Sequence, residues 1–240
     1  MNNEIFALSV TAASIALLHT IAGPDHYLPF IVMSKARNWS NLKTILITTV
    51  CGIGHVGSSI VIGTIGIVFG LSVARMQFFE GYRGNVAAWL FIIFGLVYFG
   101  WGLWRGLKNK AHHHHHHLHQ DGSIHKHEHD HIQTKEHAHT HPEEPKVNVT
   151  PWILFTIFIL GPCEPLIPLL MLPAARQNSS GVIVVATVFS IITIFTMVSL
   201  VVLSLLGLKM LPMKFLVRYM HAIAGFTIFI CGMGIEFLGL

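Results

Sequence analysis

The chain reads as an all-α integral membrane protein, six transmembrane helices forming two inverted three-helix repeats, with the first helix of each half broken. Three observations predict this. Of its 240 residues, 52% are hydrophobic and only 11% are charged, whereas a soluble domain carries roughly 25% charged residues. Six segments are apolar over the length a bilayer core demands, about 20 helical residues each. The two halves also match one another at a fixed shift, and each contains a Gly-Pro pair.

The first expected span runs from about Ile5 to Met33 and encloses Gly23-Pro24. The second, about Leu42 to Leu71, is long enough to tilt and holds His55; the third covers about Val86 to Trp104. A polar stretch from Arg105 to Val149 then separates the halves, which gives units 1–104, 105–149 and 150–240. The fourth span, about Pro151 to Leu172, carries Gly161-Pro-Cys-Glu-Pro165. The fifth covers about Val182 to Leu206 and the sixth about Phe215 to Leu238. The N-terminus lacks the basic region of a secretory signal, so the first apolar run is expected to stay as a span.

Basic residues set the expected orientation. Connections one, three and five hold twelve of them, against three (Arg75, Arg83 and Arg176) on the other side. Odd connections should face the cytoplasm of a plasma-membrane protein, with both termini outside. A shift of 138 residues aligns Gly23-Pro24 with Gly161-Pro162 and Leu28 with Leu166; a shift of 137 aligns Gly95 with Gly232 in the third and sixth spans. With three spans per unit, the second unit enters from the opposite side. Such inverted repeats place their sites at the repeat interface near the midplane.

The charge of +4 is small and no basic stripe with interleaved aromatics is present, which argues against a nucleic-acid partner. Cys51, Cys163 and Cys231 lie in apolar runs without a CxxC pair, so neither a disulfide framework nor a zinc knuckle is expected.

Ionisable residues at membrane depth are costly and mark functional positions. His19 and His26 are seven residues apart, roughly 10.5 Å along an unbroken helix, too far to share an ion bound at about 2 Å from each nitrogen. Pro24 lacks an N–H and clashes with the carbonyl of Thr20. An unwound turn there would draw His19, Asp25 and His26 together. His55 sits near mid-depth of the second span among Gly52, Gly54, Gly57, Ser58 and Ser59, small residues that let helices approach. In the second half, Pro162 should free the carbonyl of Phe158. Glu164 occupies the repeat-equivalent position of His26, and Cys163 that of Asp25. Glu164 is the acid expected to join the histidines; Cys163 can act as a ligand or as a small buried hydrophobe. Ser190, Thr193 and Thr196 fit helix contacts or pathway hydroxyls, and His221 an interfacial position.

The third connection carries fourteen of the eighteen histidines: His112, His113, His114, His115, His116, His117, His119, His125, His127, His129, His131, His137, His139 and His141. Neutral imidazoles suit nickel, copper, zinc and cobalt, and such tracts are compositional metal-binding signals. Too polar to pack a core, the segment is expected to be disordered and to buffer or deliver metal.

His19-x5-Asp25-His26, then Gly54-His55 in the next span, Gly161-Pro162-Cys163-Glu164 in the fourth and the histidine-rich connection together resemble the nickel/cobalt transporter superfamily, in particular its NicO-type and urease-accessory UreH-like members. The resemblance implies translocation of Ni²⁺ or Co²⁺, with zinc in the same chemical range and no resident cofactor. It places His19, Asp25, His26 and His55 at the motif positions. It also implies hand-over to cytoplasmic metallochaperones or urease maturation proteins. The better-known nickel permeases have HxxxxDH and eight spans; this chain has one more residue between His19 and Asp25 and six expected spans.

Transport rather than catalysis is therefore expected. No nucleotide-binding motif is present, so coupling to ions or protons, or downhill flow, is implied. Two rivals stay open. A membrane thiol-disulfide carrier also pairs two broken three-span halves, but needs a cysteine in each break. A membrane-anchored buffering or accessory protein would depend on His112–His141 rather than on His26 or Glu164.

Overall fold

The computed structural model describes residues 3–108, 117–118, 124–125, 149–209 and 217–239, and apart from one two-residue antiparallel pair its regular structure is helical. Among the described residues eight α-helices follow in chain order: α1 (Asn3–Ala22), α2 (Leu28–Ala36), α3 (Asn41–Val68), α4 (Val73–Lys108), α5 (Thr150–Leu160), α6 (Leu166–Ala175), α7 (Ser179–Lys209) and α8 (Met220–Leu238). Five of them, α1, α3, α4, α7 and α8, are long and apolar enough to cross a membrane. The expected fourth span is divided into α5 and α6, of 11 and 10 residues. Of the polar connection, residues 105–108 extend α4 and His117–Leu118 pairs with Ile124–His125. The expected disorder and metal binding of the other histidine-rich positions lie outside the described residues.

Both breaks form where proline removes a helical donor. Gly23 closes the last turn of α1 by donating to the His19 carbonyl at 3.0 Å, and Pro24–His26 form a 3-10 turn. Helix α2 restarts with Pro29 in its first turn, where a missing N–H costs nothing. In the second half Gly161 donates to the Ile157 carbonyl at 2.9 Å, then turns extended at ψ 132°. Each short helix that follows ends alike. After α2, Asn38 takes a left-handed φ of 50°; after α6, Gln177 takes 54°. Each next long helix is then capped: Ser40 Oγ accepts from Lys43 N–H, and Asn178 Oδ1 from Gly181 N–H, as side chains before a helix do.

Helix α4 begins at Val73, well before the expected Val86. Arg83, expected in a connection, lies inside the helix and pairs one turn away with Glu80, so neither is left bare. Helices α4 and α8 run antiparallel and nearly touch backbone to backbone. A Cβ added at Gly95 would meet Phe229, at Gly225 Phe99, and at Gly232 Ile92. Small residues permit this approach where lipid supplies no hydrophobic drive between helices. Helix α1 packs on α7, α3 on α5, α6 and α7, and α2 on α8. Leucines, isoleucines and phenylalanines such as Leu18, Leu46, Ile191 and Phe195 cover the outside.

Described residues beside connections one, three and five meet at one end of the bundle. Arg37 lies over the Tyr98 and Trp101 rings, Arg105 over Trp101, and Arg218 Nε donates to the Gly106 carbonyl. Near the start of α1, Glu4 pairs instead with Arg176 at the end of α6.

Candidate metal centre

The 3-10 turn shortens the path between the two histidines of the first break. Their ring centroids are 4.8 Å apart, against the roughly 10.5 Å of a straight helix. His26 also meets His55 of α3 edge to face, with centroids 5.1 Å apart. His26 Nδ1 lies 3.1 Å from the Gly23 carbonyl and 3.3 Å from Asp25 Oδ1. A carbonyl only accepts, so Nδ1 carries the proton and Nε2 keeps its lone pair. His55 behaves alike, with Nδ1 3.3 Å from the Phe158 carbonyl. Pro162 does free that carbonyl, as expected, but it orients His55 rather than offering itself as an oxygen ligand. Bonds of this kind fix the ring and tautomer of ligating histidines.

Three donor atoms are then left over. His19 Nε2, His26 Nε2 and His55 Nε2 are buried and have no hydrogen-bond partner, while the buried Asp25 Oδ1 faces His26 Nδ1. Buried polar groups are almost always satisfied, so three orphaned imidazole nitrogens around one cavity point to a ligand. A donor atom from each of His19, His55 and Cys163 falls within 4.8 Å of the others. Ligands held at about 2.0–2.3 Å from a tetrahedral ion stand about 3.5 Å apart, so the trio is slightly open.

His19, Asp25, His26 and His55 line a cavity of about 210 Å³, bounded by Asn85 of α4, by Gly161, Pro162 and Glu164 of the second break, and by Ile235 of α8, with Cys163 outside its lining. Glu164 reaches this cavity but is exposed, outside the close trio; the buried neighbour Cys163 faces the histidines instead. All three cysteines are free thiols. His221 is remote, bonded through Nδ1 to the Tyr98 hydroxyl at 2.7 Å. Ser190 bonds back to the Ala186 carbonyl, while Thr193 and Thr196 are buried in α7.

The sequence reading set Arg83 in a connection and did not single out Glu80 or Glu236; in α4 Arg83 is largely and Glu80 fully buried. Glu236, in the last turn of α8, holds a buried Oε2 with no partner. An acid inside an apolar run is itself the signal, and Glu236 carries it as plainly as Glu164.

Comparison with protein-family models, with curated proteins and with solved structures finds no match to this chain.

Proposed function

We propose that the protein carries divalent transition-metal ions across the plasma membrane, with both termini outside and the histidine-rich connection in the cytoplasm. One observation carries the reading: three orphaned imidazole nitrogens, with the Asp25 carboxylate beside them, meet where two helices break within apolar helices, and His19 and His55 group there with the Cys163 thiol. Imidazole, carboxylate and thiolate together suit late first-row divalent ions. Within that class, the preference for nickel or cobalt comes from the motif resemblance.

The alternation of the halves supports a transporter plan. Helix, break, short helix, left-handed residue and capped long helix occur in that order twice. Swapping the halves maps the α1–α7 contact onto α5–α3 and α2–α7 onto α6–α3, while α3–α7 and α4–α8 map onto themselves. The antiparallel α4–α8 seam is what a two-fold axis in the membrane plane requires. Six crossings follow when α5 and α6 are counted as one broken span.

The ion is substrate here, and the chain's own residues supply its coordination. His19, His26 and His55 offer neutral nitrogens, Asp25 offsets the charge, and a cation deprotonates a coordinating thiol such as Cys163. Glu164 at the exposed wall of the cavity would draw the cation inward. Uptake of Ni²⁺, Co²⁺ and Zn²⁺ into proteoliposomes tests the reading. Saturable flux that His26→Ala removes is expected; equal flux in wild type and His26→Ala overturns it.

A further inference from the structure

The two breaks are supported very differently. Glu80 is fully buried in α4 and pairs with Arg83. From that pair the hydrogen bonds run to the second break and to the serines of α3 beside it. Arg83 Nη2 donates to the Ile159 carbonyl at 2.7 Å and to the Gly161 carbonyl at 3.4 Å, and so caps the end of α5. The same nitrogen donates to Ser58 Oγ at 2.7 Å. Beyond the proline, the Cys163 N–H donates to Glu80 Oε2 and to Ser59 Oγ, each at 3.2 Å. Ser59 Oγ in turn donates to Glu80 Oε2 at 3.2 Å. His55 takes the Phe158 carbonyl. Thus the backbone groups that Pro162 disrupts find partners on α3 and α4. A guanidinium suits such a task because its fork reaches several acceptors at once.

The first break shows the reverse balance. Its backbone bonds are local, from Gly23, His26 and Tyr27 to residues three or four back. Two of its imidazole nitrogens, His19 Nε2 and His26 Nε2, are buried with no partner, and Asp25 Oδ1 pairs with its own neighbour His26 at 3.3 Å. The donor trio also spreads to 4.8 Å, wider than the about 3.5 Å that a tetrahedral ion imposes. Something must close around an arriving ion, and the side with unsatisfied groups has the free energy to gain.

We propose that Glu80 and Arg83, with Ser58 and Ser59, are positioning residues that clamp the second break and preset Cys163 and His55, so that the first break, residues 19–28, closes on the ion. The ion's identity rests on the transport reading; the clamp rests on the protein's own hydrogen bonds.

Hydrogen–deuterium exchange of the full chain in nanodiscs, with and without Ni²⁺, tests both parts. Without metal, amides of 159–166 exchange about tenfold or more slower than those of 19–28. Ni²⁺ slows 19–28 by a similar factor and leaves 159–166 unchanged. Equal exchange of the two segments without metal overturns the clamp, and a Ni²⁺ response concentrated in 159–166 overturns the assignment of the moving side. If Ni²⁺ slows neither, the closing step falls together with the transport reading, while the metal-free ranking still decides the clamp. A second test uses Glu80→Gln, which keeps the volume but loses the charge, in a chain whose Cys51 and Cys231 are alanine. Cys163 alkylation rises about tenfold and the cobalt–thiolate absorption weakens, with exchange of 19–28 unchanged. Unchanged alkylation in a folded Glu80→Gln protein overturns the positioning role.

Discussion

Replacing Gly23 with alanine separates the packing of the first break from its backbone. Gly23 stands at φ −87°, ψ 96°, a region open to alanine, so the change adds no backbone strain. Its methyl group would lie 2.5 Å from His26 Nδ1 and 2.8 Å from Asp25 Oδ1. Ordinary contacts between heavy atoms are about 3.5 Å or longer, so the ring must retreat by about 1 Å. That movement breaks the bond to the Gly23 carbonyl which aims Nε2 into the cavity. Losing an outer partner of a ligating histidine costs about 10–100-fold in metal affinity. A Co²⁺ titration read on thiolate-to-cobalt charge transfer sees only this site, because residues 105–149 hold no cysteine. Gly161→Ala is the control: its methyl would stand 3.3 Å from His55 Nδ1, a clash relieved by a few tenths of an ångström, and its affinity loss should be several times smaller. Wild-type cobalt affinity in Gly23→Ala would refute the account of how the break orients His26.

Other outcomes follow from the same geometry. Cys163→Ser removes the charge-transfer band while imidazole ligation persists; a band that survives would place the thiolate elsewhere. Deleting His112–His141 leaves proteoliposome uptake at saturating metal largely intact, and a collapse of flux would favour an accessory protein built around that connection. Gly225→Leu drives a side chain into the backbone of Phe99 and lowers stability by about 3 kcal/mol, measured as reduced thermal stability in detergent. Ser40→Ala removes the cap that Lys43 N–H uses and costs about 1 kcal/mol, with metal affinity unchanged.

The positions of both breaks were legible because proline acts locally: a residue without an N–H disrupts the turn it sits in, whatever surrounds it. The convergence of His19, Asp25 and His26 followed from the same rule, and the small residues around His55 allowed its approach. The start of α4 was not legible. Glu80 and Arg83 look like residues in water until α3 and the second break are folded against them, because their partners lie at Ser58, Ser59, Ile159 and Cys163. Repeat alignment set Glu164 opposite His26, yet where two adjacent side chains go depends on the dihedrals of an irregular segment: Glu164 reaches the cavity, while Cys163 is the one that groups with His19 and His55. The halves also drift by one residue, with Asn38 matching Gln177 rather than Arg176, since α6 is 10 residues long where α2 has 9.

The central claim is that one ion sits between the two broken helices, held by ligands from both halves. X-ray absorption of the full chain loaded with one equivalent of Co²⁺ addresses it directly, since sulfur scattering cannot arise from the histidine-rich connection. The account predicts imidazole shells at about 2.0–2.1 Å and a sulfur shell at about 2.3 Å. Cys163→Ser loses the sulfur, and His19→Ala and His55→Ala each lose sulfur and imidazole together. A spectrum of nitrogen and oxygen alone, unchanged by all three substitutions, would contradict it.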